Sequence, residues 1–287
     1  MNFIDIASWQ AGIDLETIFK ENPIDGVIIK ATQGTGYVNS EYAIWAKWLN
    51  DNNKPWGVYH YCTGLDAIAE ARFFYDTIKP YIGKCVPVLD YEEKSAMQRG
   101  TSWHKEVLDE FYRLSHVKCL VYCSQSVTQD QNFGAIANDG YQLWMAQYAD
   151  FSPVYGFVDN PWHMGSVSPF KGYVMQQYTS CGVLKGWGSY LDFDKFFGNE
   201  SDWKNLCGDH VAPTELKDAD PVVVSDVLMG YYGIGDERIN KLRADGYDPT
   251  KVQNKINELY GVAAKIRPII GKNIDYLNPI TKITKMM

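Results

Sequence analysis

The sequence predicts an α/β fold: a parallel barrel of five strand–helix units and three closing strands, followed by a small helical module. Three observations carry this. Short apolar runs alternate with amphipathic helical stretches through about residue 130, the pattern of a parallel sheet with crossover helices. From Tyr141 the helices stop and strand-like segments follow one another. Acidic and aromatic residues recur at the ends of the predicted strands, where barrels of this class keep their chemistry.

Taken in order, residues 3–6 form a short strand that contains Asp5. Leu15, Ile18 and Phe19 give residues 14–22 helical spacing. Residues 26–31 are an apolar run suited to a buried parallel strand. Ser40 is placed to cap a helix through Asn52, with Ile44, Trp45, Trp48 and Leu49 on one face. Residues 56–62 are the third strand. Asp66 opens a second amphipathic helix, with Ile68, Ala71, Tyr75 and Ile78 in register. Residues 86–93 are the fourth strand, 102–115 a helix, 117–123 the fifth strand, and a helical patch lies near Ser126. Residues 143–148, 173–178 and 190–193 complete the strands.

Composition limits what the chain can do. Its 287 residues allow one large domain and a small one. A net charge of −8 and a pI of about 5.2 argue against nucleic acid as a partner. No apolar run reaches membrane-spanning length, so no membrane insertion is expected. The start, Met1 to Ile6, lacks the basic region and apolar core of a signal peptide, which predicts a cytoplasmic protein until something else releases it. Cys62, Cys85, Cys119, Cys123, Cys181 and Cys207 form no CxxC pair and have no His at zinc-ligand spacing. Buried free thiols and no bound metal are the expectation.

The barrel is assigned to residues 1–205 and a Gly-, Pro- and polar-rich linker to 206–220. A three-helix module follows at 221–261, with helical patches at 222–229, 236–244 and 249–259. Asp248-Pro249 is an N-cap followed by proline at the first helical position. Such a module buries little core, so it is expected to lean on a neighbour or on a second copy, making a homo-oligomer through this module one outcome. The remaining tail, 262–287, carries Lys265, Arg267, Lys272, Lys282 and Lys285 against one acid, Asp275. It would suit an anionic wall or simply remain solvated.

Asp90 and Glu92 carry the chemistry. Side chains on a strand alternate faces, so the two carboxylates share one face, with Cα atoms about 6.5–7 Å apart. Like charges so placed repel, and one acid should keep its proton near neutral pH. A protonated acid beside a charged one serves glycosidic bond cleavage; a solvated strand end is the plainer reading of Asp-x-Glu alone. Asp5, Lys30, Tyr61 and Asp192 also fall at or near predicted strand ends, with Asp194 as the alternative to Asp192. Glu93 faces away and drops out. His60, opposite Tyr61, is read as structural, Tyr59 as core, and His104 and His116 as surface or helix-end residues.

Seven fragments then resemble, in order, glycoside hydrolase family 25, the lysozymes (muramidases) common among phage endolysins. They are Ile4-Asp5-Ile6-Ala7-Ser8-Trp9-Gln10, Val27-Ile28-Ile29-Lys30-Ala31-Thr32, Gly57-Val58-Tyr59-His60-Tyr61, Val88-Leu89-Asp90-Tyr91-Glu92, Leu143-Trp144-Met145-Ala146-Gln147-Tyr148, Gln177-Tyr178-Thr179-Ser180 and Leu191-Asp192-Phe193-Asp194. The resemblance implies a flattened, irregular, TIM-like (β/α)5β3 barrel that hydrolyses the β-1,4 bond between N-acetylmuramic acid and N-acetylglucosamine in bacterial peptidoglycan, without cofactor. It implies that Glu92 is the general acid, Asp90 its partner carboxylate, and Asp5 and Asp192 the other groove acids. Lys30 and Tyr61 match positions near the sugar, and Trp144, Gln147 and Tyr178 are groove-lining candidates. Where the family often has Trp-Gln-Tyr, this chain has Gln176-Gln177-Tyr178. Release to the wall through a separate phage-encoded pore is also implied.

The second module resembles the CW_7 cell-wall-binding repeat of phage lysins through Gly233-Ile234-Gly235-Asp236-Glu237-Arg238 and Gly246-Tyr247-Asp248. It implies binding to peptidoglycan glycan and its short peptide, with Asp236 and Arg238 as candidate contacts. A helix-start acid and a solvated arginine are the alternative for those two.

Overall fold

The structure, a computed structural model, describes residues 1–208 and 217–270. β1 (Asn2–Ile6) leads through a 3-10 turn at Ser8–Gln10 to α1 (Leu15–Glu21), where Asp14 caps the helix by accepting from the Glu16 amide. β2 (Gly26–Gln33), its hairpin partner β3 (Tyr37–Val38), α2 (Tyr42–Asp51), β4 (Trp56–Tyr61) and α3 (Ala67–Ile78) follow. Then come β5 (Val86–Asp90), α4 (Lys94–Ser115), β6 (Leu120–Ser124), α5 (Gln125–Asp130) and α6 (Gly134–Asn138). β7 (Leu143–Ala146), the two-residue β8 (Val154–Tyr155), β9 (Met175–Val183), β10 (Leu191–Phe196) and α7 (Glu200–Leu206) complete the first unit.

Eight of these strands close into a ring. β1, β2, β4, β5, β6, β7 and β9 run parallel in that order. β10 pairs antiparallel with both β9 and β1 and closes the ring. β3 and β8 hang off β2 and β9. The predicted barrel of five strand–helix units and three strands is the observed one. Because β10 runs backwards, its first residues share a rim with the last residues of the parallel strands. Asp192 therefore pairs with Asp5.

The barrel interior is layered by strand alternation. Phe3, Ile28, Val88, Leu120, Met175 and Phe196 pack together inside. One interior step toward the open rim, the same strands present Asp5, Lys30, Asp90, Tyr122, Gln177 and Asp194. The apolar layer is thus a floor for a polar one. Outside, the alternate residues, including Ile4, Val27, Ile29, Val58, Leu89 and Val121, pack under the helices. No helix follows β7; among the described residues, Val154, Phe157, Val167 and Phe170 of the 147–174 loop cover that side instead.

Several boundaries differ from expectation. Helix α2 starts at Tyr42, and Asn39, not Ser40, receives the Glu41 amide at 3.2 Å. β5 stops at Asp90, so Glu92 and Glu93 lie beyond the strand in the turn before α4. That helical span opens at Lys94 rather than 102 and is broken at Gly100, whose φ of 80° suits glycine. The earlier start changes its buried face: His104 is fully buried, with its ring 4.4 Å from Tyr91 and both nitrogens without a hydrogen bond. It is not the surface residue expected, and burial lowers its pKa to about 3. His116 does end the helix, in a left-handed conformation. His60 is buried between Thr32 Oγ1 (2.8 Å) and Glu70 Oε2 (3.0 Å), a structural role as expected. Glu70 also accepts from the amides of Thr63 and Leu65, which fixes the β4–α3 turn. Cys62, Cys85, Cys119, Cys123 and Cys207 are buried free thiols, while Cys181 is partly exposed.

The second unit spans residues 211–287. α8 (Pro221–Leu228), α9 (Gly235–Ala244) and α10 (Pro249–Ile270) pack Val223, Val224, Val227, Leu242, Val252 and Ile256 into one small core. Asp220 caps α8 through the amides of Val222 and Val223 and also accepts the Tyr247 hydroxyl at 2.7 Å. α10 continues past the module end expected at 261. Linker residues 209–216 and tail residues 271–287 lie outside the described residues.

Phe3 lies in the barrel interior, 4.3 Å from the Trp203 ring. Phe3→Ala should cost about 3–5 kcal/mol in urea unfolding; a loss under about 1 kcal/mol would contradict this packing.

Candidate active site

At the carboxyl ends of the parallel strands the polar layer forms a continuous network. Asp5, on β1, accepts from Gln177 Nε2 at 2.6 Å. Gln177 Oε1 in turn accepts from the hydroxyls of Tyr122 (2.8 Å) and Tyr148. Two phenols on the oxygen fix the amide so that its NH2 faces Asp5. Asp194, fully buried, accepts from Trp144 Nε1 at 3.0 Å. Lys30, half-buried on β2, sits 4.5 Å from the Tyr61 ring centre and donates to Gln33 Oε1 at 2.8 Å.

Five carboxyls share this space: Asp5, Asp90, Glu92, Asp192 and Asp194. Burial, then the charge of Asp192, raises the Asp5 pKa well above the ordinary carboxylate range. Burial and then Glu92 do the same for Asp90, against the opposing pull of Lys30. Asp90 Oδ1 is buried and, among the described residues, receives no hydrogen bond. Asp192 is pushed up to about 6 by burial and by Glu92. Glu92 opens to solvent but is raised by the protein around it, with Lys30 opposing and Glu93 adding to the rise. Like-charge repulsion between Asp90 and Glu92 is shared by the pair, and the deeper burial of Asp90 adds to it. Burial lowers the Lys30 ammonium, while Asp90 and Glu92 hold it up.

The expected site residues separate into two groups. Asp5, Asp90, Glu92, Asp192, Lys30 and Tyr61 come together around the open end of the barrel. Trp144, Gln147 and Tyr178 take other places. Trp144 is inside the barrel with its indole committed to Asp194. The Gln147 amide holds the Met164 backbone through two bonds of 2.9 Å. Tyr178 is buried on the outer face of β9, and its hydroxyl accepts the Val158 amide. The polar atoms of all three are committed to the 147–174 loop or to Asp194. Gln176, where a Trp was the alternative, is buried and donates to the carbonyls of Trp162 and Gln147. Glu93 is nearer the site than expected, accepting the Tyr61 hydroxyl at 2.9 Å.

The sequence reading passed over Gln177, Tyr122 and Tyr148 and set Asp194 and Tyr59 aside. Asp5, Asp90, Asp192 and Glu92 all bear on the Tyr59 phenol, so it stands among the acids as well as against the core. Exposed aromatics also follow the strand ends. Trp9, 89% exposed, lies in the turn after β1; Tyr37, in β3, donates to Ser8 Oγ; Phe151 follows β7; Tyr190 precedes β10. Exposed rings beside a carboxyl cluster suit the apolar faces of sugars. Among the described residues, His60, Cys62 and Glu70 are grouped with metal-ligand chemistry, but the His and Glu atoms already serve the bonds described above.

In the second unit, Arg238 Nε donates to the Gly233 carbonyl at 3.1 Å and Nη1 to Gln253 at 3.4 Å. Its first role is to shape the glycine-rich turn, from which Tyr231 and Ile234 project into solvent. The side chain of Asp236 lies outside the described residues.

Both units of the chain resemble known proteins. The family model for glycosyl hydrolases family 25 matches residues 4–187, and that for the CW_7 repeat matches residues 222–260. A lysozyme of Streptococcus phage Cp-7 is 28% identical over 267 residues, covering 90% of this chain and 69% of that protein. The bacterial lysozyme from Streptomyces coelicolor superposes with a TM-score of 0.60 at 18% identity, over 74% of this chain and 98% of its own. The catalytic domain of endolysin ply40, from bacteriophage P40 of Listeria monocytogenes, gives 0.56 at 24% identity, over 72% and 97%. At these identities the two structures show the shared fold.

The raised acids make stability depend on pH. An acid whose folded pKa exceeds its unfolded value weakens the fold as pH rises from the unfolded value to the folded one. Asp90→Asn removes one such group. It should raise Tm at pH 7.5, with the gain shrinking as pH falls toward about 4; a lower Tm than wild type at pH 7.5 would contradict the assignment.

Proposed function

The chain belongs to glycosyl hydrolases family 25, and from that membership we propose that it is an N-acetylmuramidase of the phage-endolysin type, cleaving the β-1,4 bond between N-acetylmuramic acid and N-acetylglucosamine and so lysing the host cell. Lysozyme-class glycoside hydrolysis is the activity of the family, and bacterial peptidoglycan is its substrate class. The observation that carries the finer reading is the unequal pair at the end of β5: Asp90 buried in the polar layer, Glu92 open to solvent just beyond it.

The roles follow from that inequality. Glycosidic cleavage needs a proton for the leaving oxygen and stabilisation of an oxocarbenium-like centre. Glu92 has solvent access and a pKa raised by the protein around it, so it is the acid placed to hand a proton to a substrate in the groove. Asp90 is too enclosed to exchange freely with solvent. Its role is to orient the substrate's 2-acetamido group, whose oxygen attacks the anomeric carbon from the face opposite the leaving group. Water then opens that intermediate with Glu92 acting as base, giving net retention. Asp5 and Asp192, paired across β1 and β10, complete the negative wall that favours the cationic transition state. Lys30 limits the repulsion within the group. Tyr61, held by Glu93, and the exposed rings of Trp9 and Tyr37 offer surfaces for sugar faces.

The second unit serves as a wall anchor in this reading. Its CW_7 match supports peptidoglycan binding, with the turn shaped by Arg238, and Asp236 beside it in sequence, as the contact region. Among the described residues, no helix is long and apolar enough to cross a membrane.

Purified wild-type protein should clear a peptidoglycan suspension, with or without chelator, and Glu92→Gln should lose about 100-fold or more of that rate. Clearing by the variant at the wild-type rate would remove Glu92 from the acid role. NMR of the first-formed reducing end should show the retained β anomer; the α anomer would overturn acetamide participation.

A further inference from the structure

One buried atom in the polar layer lacks a partner that its neighbours could supply. Asp194 is fully buried on β10. Its Oδ1 accepts the Trp144 indole N–H, but among the described residues no N–H or O–H reaches its Oδ2. A carboxylate only accepts hydrogen bonds, so an ionised Asp194 would leave a negative oxygen buried and unsatisfied. What Asp194 does face is Asp5, within side-chain hydrogen-bond reach. Strand register explains the meeting. Asp194 pairs with Phe3 on one side and Gln177 on the other, and Gln177 is the residue whose NH2 is aimed at Asp5.

Two carboxyls in contact inside a barrel require a proton between them. We infer that Asp194 is held as a neutral carboxylic acid with its proton on Oδ2, directed at the Asp5 carboxylate, so that it positions Asp5 and takes no direct part in bond cleavage. This inference rests on the reading of Asp5 as a groove acid.

Donor placement decides which partner carries the proton. Asp5 receives a 2.6 Å bond from an amide whose orientation two phenols enforce, and it keeps 7% of its surface open. Asp194 has a single indole donor and no exposure. Charge is better supported on Asp5. Burial, followed by the charges of Asp5 and Asp192, raises the Asp194 pKa well above the ordinary range, and burial with Asp192 raises that of Asp5 too, so the pair holds a proton between them. The resulting chain runs from Tyr122 and Tyr148 through Gln177 to Asp5, and from Trp144 through Asp194 to the same carboxylate. Both arms of the chain end at Asp5, which stays charged and fixed. Among the described residues no such bracing reaches Asp192, one interior step nearer the rim, and burial with Glu92 pushes its pKa up to about 6.

The test uses the full chain and two substitutions. Asp194→Asn keeps an acceptor for Trp144 and a neutral N–H donor for Asp5; Asp194→Leu keeps neither. The infrared difference spectrum at pH 7, wild type minus Asp194→Asn, should show the loss of one protonated-carboxyl C=O band. Asp194→Asn should clear peptidoglycan within about threefold of the wild-type kcat, whereas Asp194→Leu should lose about 100-fold in kcat with little change in KM. A C=O band unchanged by Asp194→Asn would overturn the inference. So would a 100-fold loss in Asp194→Asn that thermal unfolding shows to be folded. The infrared comparison needs no activity, so it tests the buried proton by itself. Absence of clearing by the wild type would instead count against the hydrolase reading.

Discussion

Closing a barrel around carboxyl groups forces a choice about protons, and the rest of the first unit is arranged around that choice. Asp5, Asp90, Asp192 and Glu92 gather at one rim above Asp194, with Lys30 the cation that bears on Asp90 and Glu92. A low-dielectric enclosure raises the cost of each added charge. The network answers by grading the acids. The deepest, Asp194, meets another carboxyl and an indole; Asp5 is given a fixed amide; Asp90 is left with an unsatisfied oxygen; Glu92 keeps solvent. A graded set of this kind can place a neutral acid and a charged one side by side, which acid–base chemistry on a sugar requires.

The fold's irregularities serve the same end. The reversed β10 brings Asp192 to the rim and sends Asp194 one step below it. The missing helix after β7 is replaced by the 147–174 loop, which Gln147, Gln176 and Tyr178 hold through its backbone at residues 164, 162 and 158. At Gly64 the chain passes so near the start of α4 that a Cβ would lie 2.6 Å from the Ser95 carbonyl. That approach locks the turn after β4 against the segment that carries Glu92 and Glu93.

Alternating apolar runs and helical faces made the barrel readable from sequence, and strand ends pointed to Asp5, Asp90 and Asp192. The misreadings of Glu93 and His104 share one cause: period-2 and period-3.6 patterns name a face only while the element continues. β5 stops at Asp90, so alternation says nothing about Glu93, which turns back to Tyr61. A helix taken to start at 102 left His104 near an end. Begun at 94, it puts His104 beside Val107, Leu108 and Phe111 on the buried face. Trp144, Gln147 and Tyr178 matched family positions, yet their polar atoms are spent on Asp194 and the loop. Gln177 and Asp194 were legible in principle. Each lies on a strand one interior step from the apolar layer, but only strand order and direction reveal that they meet Asp5. In the second unit, cap and core positions were readable, while the role of Arg238 in shaping the glycine turn needed the fold.

These acids titrate as a crowded, enclosed group. Carbon-13 NMR of the side-chain carboxyls across a pH series measures this directly in the intact chain. The account predicts that Asp5, Asp90, Glu92, Asp192 and Asp194 all protonate above ordinary Asp and Glu values, Asp192 near 6, and that Asp194 is still protonated at pH 7. Ordinary midpoints at about 4 for all five would contradict it.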